Sequence, residues 1–297
     1  MTVLTGAAAA LLASFFWALG SILAQNPVRH LGILRFTHVQ LVSSFAVLAC
    51  IVSLSVGWGN IGSNHLANIL FASAIGVVLG NFSFAYCIRV LGPRLTHLIM
   101  MTASPIAVVL DFIVFKKLPL VRQIEGGLII MIGIAIAIAY GESSKKIHEP
   151  QKNKQRIIGF GVGLVAASSQ VCGLLALKPL LQEGVAPLAV TAVRTGGGAL
   201  LVSLIFVLMA SKLKDAYDVN HKVIVSAITP GIMGYCVAVS LQLYALRNLG
   251  AGAAILLGST APIMVVPLLW IHSRQRQAVG AWIGAGVAIS GIAWAII

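Results

Sequence analysis

The sequence predicts an all-α fold: a polytopic membrane protein of ten transmembrane helices, built as two inverted five-helix repeats. Three observations carry this expectation. The chain has 297 residues, of which 59% are hydrophobic and 9% charged, whereas a soluble domain is about 25% charged. So few charges cannot cover a soluble surface of this size, which excludes a cytosolic enzyme, a nucleic-acid-binding protein and a disordered chain. Apolar runs recur ten times at the length of about 20 residues that a bilayer core of about 30 Å demands. Matching motifs also recur, in the same order, in the two halves.

The first span, 4–25, is an Ala- and Leu-rich run holding Phe15-Phe16-Trp17, and it stops at Asn26-Pro27-Val28-Arg29-His30. No basic segment precedes it and no clear cleavage site follows, so it reads as a retained span rather than a signal peptide. The second, 33–57, ends in Gly57-Trp58-Gly59-Asn60, turn formers with an aromatic suited to a membrane interface. The third, 67–90, and fourth, 95–115, are separated by Gly92-Pro93-Arg94; the fifth, 122–140, follows Lys116-Lys117 and Arg122. The longest hydrophilic stretch, Glu142 to Arg156, divides five spans from five. Beyond it come 157–178, closed by Lys178-Pro179, then 187–210, 223–246, 250–271 and 277–297, with Arg247-Asn248-Leu249-Gly250 parting the eighth span from the ninth. The organisation is therefore a first repeat over 1–141, a charged linker over 142–156 and a second repeat over 157–297.

The repeat is legible in residues. Tyr86-Cys87-Ile88-Arg89-Val90-Leu91-Gly92 matches Tyr244-Ala245-Leu246-Arg247-Asn248-Leu249-Gly250, and Thr102-Ala103-Ser104-Pro105-Ile106 matches Ser259-Thr260-Ala261-Pro262-Ile263. Upstream, Pro27 precedes Arg35 as Pro187 precedes Arg194. Because five is odd, the second unit enters the membrane from the opposite side. Inverted repeats of this kind are a recurrent design of secondary transporters, with the substrate site near the midplane between the halves.

The net charge of +13 reads as a topology signal rather than a nucleic-acid footprint, because cytoplasmic loops collect Lys and Arg. The 20 Lys and Arg divide as 13 on the linker's side, 5 on the other side and 2, Arg35 and Arg194, within spans. That places the linker in the cytoplasm and both termini outside. Cys50, Cys87, Cys172 and Cys236 fall in apolar stretches without metal-ligand spacing, so they read as small buried residues. Neither a metal nor a cofactor is expected.

The ten short spans, the paired repeats, Pro105 and Pro262 in the fourth span of each half, Arg35 and Arg194, and the aromatic Phe15-Phe16-Trp17 together resemble the drug/metabolite transporter superfamily, in its EamA-type group. The resemblance covers nearly the whole chain. It implies a metabolite exporter, importer or exchanger with a central cavity between the halves, in a bacterial inner membrane. Three departures stand against the family pattern. The acidic residue that often follows the proline is missing from Phe115-Lys116-Lys117-Leu118-Pro119 and from His272-Ser273-Arg274-Gln275-Arg276. Gln25 stands where many members carry a basic residue, which Lys178 retains in the second half. Members usually look to have cytoplasmic termini, opposite to the charge count here.

An ionisable residue at membrane depth costs about 2.5–3.5 kcal/mol on insertion scales, so it faces a cavity or a partner. Arg194 is the clearest case, an expected ligand for an anionic substrate group; Arg35 is its repeat counterpart, and His38 follows one turn later. Asp111 is the only acidic residue deep in a span, and it is expected to pair with Lys178 or Arg194 until substrate or a proton arrives. Gln170, Asn81, His97 and Gln242 are polar residues within spans that could bond substrate or a neighbouring helix. Trp17 with Phe16 would make an aromatic wall, and Pro105, Pro262 and Pro267 are candidate bends. Gly76 with Gly80, and Gly280 with Gly284, permit close helix approach and would suit a homodimer seam. Glu125 is expected to pair with Arg122 at the interface, and Glu183 reads as a loop charge.

The function these features favour is secondary transport of a small metabolite, an amino acid or related organic anion, as an exporter working by alternating access. The partners expected are that solute and the lipid bilayer, with no nucleic acid. The alternative is a lipid-translocating protein or a channel. An enzyme is disfavoured: no His-Glu-x-x-His helix, no second deep aspartate, no nucleophile-elbow motif and no Walker sequence occurs.

Overall fold

The computed structural model describes residues 2–58, 61–62, 65–116, 118, 121–139, 150–213, 221–249, 251–273 and 279–296. Within them the chain is helical, and no strand occurs among the described residues. Among the described residues six helices are long and apolar enough to cross a membrane, and three further apolar helices are shorter. Most of the linker, 140–149, lies outside the described residues.

Helix α1 (Thr2–Leu54) is broken once, at Gly32, where φ is 73°. The expected division at Asn26–His30 is not where the break falls: the helix runs through Pro27. Proline costs one ladder hydrogen bond, whereas glycine reaches positive φ without a Cβ penalty, so the turn settles on Gly32. Helix α2 (Leu66–Phe71) continues through a π-helical stretch, Ala72–Leu79, into α3 (Gly80–Met100). The path of α3 breaks at Gly92 (φ 81°), and Pro93 opens the next segment, a position where its missing N–H is no loss.

Helices α4 (Ala103–Phe115), α5 (Val121–Ala139), α6 (Pro150–Ala176) and α7 (Lys178–Gln182) lead into α8 (Pro187–Leu213). Next come α9 (His221–Gly231), a second π-helical stretch (Ile232–Val239) and α10 (Ser240–Leu249). The chain closes with α11 (Ala251–Gly258), α12 (Ala261–Ser273) and α13 (Val279–Ile296).

The two halves repeat their irregularities. Each has one π-helical stretch, and each interrupts a helix with a two-residue turn, at 101–102 and at 259–260. Pro105 and Pro262 follow those turns and fall in the first turn of α4 and α12, where no intrahelical donor is needed. They therefore start half-helices rather than bend continuous ones. Of the three candidate bends, Pro267 lies in a helix interior.

Small residues set the helix spacing. A Cβ at Gly76 would sit 2.7 Å from Gly173 Cα, and one at Gly133 would sit 2.6 Å from the Gly284 carbonyl. Gly76 and Gly284 thus serve the close helix approach expected of them, inside the chain. Large apolar side chains face outward instead, as with Leu200, Leu208 and Ile271, a surface that suits lipid rather than water. Cys87 and Cys236 are buried as expected, but Cys50 is exposed on this outer face.

Contacts define two ends. At one, Gly6 faces Leu249 and Trp294 Nε1 donates to Glu125 Oε2 at 2.7 Å. Glu125, expected to serve Arg122, thus accepts from an indole on α13. At the other end, beside the linker, Gly92 faces Gln25 and Gly159 faces Leu91.

Candidate functional site

A cavity of about 1120 Å³, part of it open to solvent, lies between the halves, with equal contributions from each. α1 contributes Trp17, Ser21, Phe36 and Gln40; the first π-helical stretch and α3 contribute Gly76, Asn81, Phe84 and His97. From the second half come Gln170 on α6, Arg194 on α8, Tyr235 on the π-helical stretch and Gln242 on α10. The two interrupted helices meet it at their breaks, through Met101 and Ala103 and through Gly258, Ser259 and Pro262. Irregular backbone at membrane depth is tolerated where it is buried or lines such a cavity. Toward the linker end the wall continues to Ala24 and Ile88, about one turn from the Gln25–Gly92 contact.

Arg194 is the charged centre. Its side chain is buried, at 4% exposure, and rests over the crossing of Gly76 and Gly173: a Cβ at either glycine would lie within 3.3 Å of its Nη2. Ser73 Oγ donates to the Arg194 carbonyl at 3.0 Å and holds the helix at that level. Tyr235 is its electrostatic neighbour, and its Nε has no hydrogen-bond partner in the protein. The described carboxylates are committed elsewhere: Asp111 to Lys178, Glu183 to His65 and Glu125 to Trp294.

The polar wall is partly networked. Asn81 Nδ2 donates to Gln40 Oε1 at 3.0 Å, and Gln242 Nε2 donates to the Ala254 carbonyl at 2.9 Å. His97 lies edge-on to Phe84, with ring centroids 5.6 Å apart. Of the residues expected from the sequence, Arg194, Gln170, Asn81, His97, Gln242, Trp17 and Pro262 line the cavity.

Arg35, His38, Asp111, Lys178, Pro105 and Pro267 lie outside its lining. For the first two the cause is rotation about α1. Phe36 and Gln40 stand one turn apart and face the cavity, so Arg35 and His38 point away from it. His38 instead bonds Ser203 Oγ at 3.1 Å and stacks on Phe206. Asp111 accepts from Lys178 Nζ at 3.1 Å, joining α4 to α7. A hydrogen bond between the halves, His65 Nε2 to Glu183 Oε2 at 2.8 Å, stands at the same end, so Glu183 is more than the loop charge expected from the sequence. Gln40 and Tyr235 were also missed, although each is a polar side chain inside an expected span.

A family model for EamA-like transporters matches residues 4–139 and 157–297. The chain belongs to the EamA-like transporter family. The two matched segments correspond to the halves whose irregularities repeat, and they leave the linker between them. Members of this family are membrane transporters of small solutes, and this EamA-like chain is an integral, multi-pass membrane protein. No curated protein sequence matches it. One solved structure, described only as the crystal structure of a protein, resembles the EamA-like chain at a TM-score of 0.72 and 15% identity, covering 99% of this chain and 96% of the other. At that identity the likeness shows the fold alone.

Proposed function

We propose that this EamA-like protein is a secondary transporter that exports a small anionic metabolite, an amino acid or related organic acid, by alternating access. One observation carries the reading: the buried Arg194 guanidinium lines the cavity between the halves, and no described carboxylate is paired with it. A buried charge without a partner is costly, so the residue is explained by an anion that arrives and leaves. Its Nε–H and two NH₂ groups suit a carboxylate's two oxygens.

The two polar bridges support a direction for the motion. Asp111–Lys178 and His65–Glu183 tie the first half to the 178–183 segment of the second, at the end away from the linker. The cavity extends toward the linker end instead. In this reading both pairs hold the terminal end shut and separate when the halves rock about Arg194. By the charge distribution the linker end is cytoplasmic, so the cavity receives solute from the cytoplasm of a bacterial cell and releases it after the pairs part.

The test is uptake of a mixed metabolite pool into proteoliposomes, read by mass spectrometry, for wild type and Arg194→Ala. Enrichment of an anionic solute by wild type alone supports the reading. No enrichment under several pH gradients sinks it, and lipid flipping is then the next assay.

A further inference from the structure

The cavity wall gathers polar atoms that the protein itself leaves unserved. Gln242 is buried, at 1% exposure. Its Nε2 donates to the Ala254 carbonyl, which fixes the orientation of the amide. Its Oε1 then has no hydrogen-bond partner within the protein. Gly258 makes that placement feasible, since a Cβ there would fall 2.7 Å from the same Oε1. His97 Nε2 is likewise buried without a partner. In the neutral tautomer that carries its proton on Nδ1, Nε2 is a lone-pair acceptor. Arg194 Nε completes the set on the donor side.

Buried polar groups are rarely left unpaired, because the desolvation is not recovered. Three of them around one cavity describe the complement of a ligand. Among the described residues the lining holds one guanidinium, no lysine and no carboxylate. Resting on the reading that Arg194 holds an anionic group, we infer that Gln242 is a specificity-determining residue. Its Oε1, with His97 Nε2, selects solutes that carry a hydrogen-bond donor, an ammonium or a hydroxyl, beside a single carboxylate. A second carboxylate would lie against bare acceptors with no cation to meet it. A donorless monocarboxylate would leave the acceptors unserved, and sites built around a substrate donor discriminate strongly against analogues that lack it.

Calorimetric titration of the purified full-length protein in detergent tests this with related compounds: leucine, 2-hydroxy-4-methylpentanoate, 4-methylpentanoate and 2-isobutylsuccinate. Wild type is expected to bind the first two about tenfold or more tighter than the third, the worth of one good hydrogen bond to a charged or buried group, and the dicarboxylate weakest. Gln242→Leu should level leucine with 4-methylpentanoate, and Gln242→Glu should widen the gap between the ammonium and the hydroxyl compound. The wild-type ranking stands as a test even where a variant fails to fold. If 4-methylpentanoate or the dicarboxylate binds wild type as tightly as leucine, and Arg194→Ala abolishes binding, the role of Gln242 is overturned while the anion site stands. If no compound binds, or Arg194→Ala binds them as wild type does, the anion site falls as well.

Discussion

Arg194 shows how one side chain can be placed by its smallest neighbours. Its guanidinium lies over Gly76 and Gly173, and a Cβ at Gly173 would come within 2.6 Å of Gly76 Cα. Gly173→Ala should therefore push two backbones apart and cost about 1–3 kcal/mol, the range for overpacking; thermal unfolding in detergent checks it. Arg194→Ala should lower transport about 100-fold, equivalent to about 2.7 kcal/mol, and Arg194→Lys should recover only part, since an ammonium keeps the charge without the planar fork. Initial rates in proteoliposomes measure both. Arg194, Asn81 and Gln242 were legible as polar residues in apolar runs. Gln40 was not, because one polar residue near Arg35 and His38 carries no sign of which face is inward. A rotation of 100° about α1 separates Arg35 from Phe36, and only packing against the other helices selects it.

At the scale of elements, the interrupted helices and the two side-chain bridges matter most. The prolines at 105 and 262 were legible, and so was their recurrence in both halves. That they open half-helices after two-residue turns was not, because a proline's position within a helix depends on where the preceding turn ends. The Asp111–Lys178 pair was half legible: Asp111 had two cationic candidates, and the approach of α7 to α4 chose Lys178. Removing the bridges should favour the state open at the terminal end. In a cysteine-free background, Leu174→Cys with Asp111→Asn should label several-fold faster from the terminal side than Leu174→Cys alone, and adding Glu183→Gln should raise it further. Unchanged labelling in the triple variant would show that the bridges bear no part in closing that end.

For the whole molecule, the organising fact is that both halves build the cavity in equal measure. The largest buried cluster also draws on both, joining Leu48 and Val52 to Leu177, Leu243 and Ile255. Two chains divided within 142–149 should therefore associate when co-expressed, and the tagged first half should copurify the second. If they remain separate, continuity of the linker is needed for assembly. The class of solvent, the helical content and the twofold repeat follow from composition, run length and motif order along the chain. The choice of Lys178 as partner for Asp111 and the inward turn of Gln40 rather than Arg35 came from helix packing. Each depends on which surfaces meet once the helices pack, and the distances that decide it run between segments far apart in the chain.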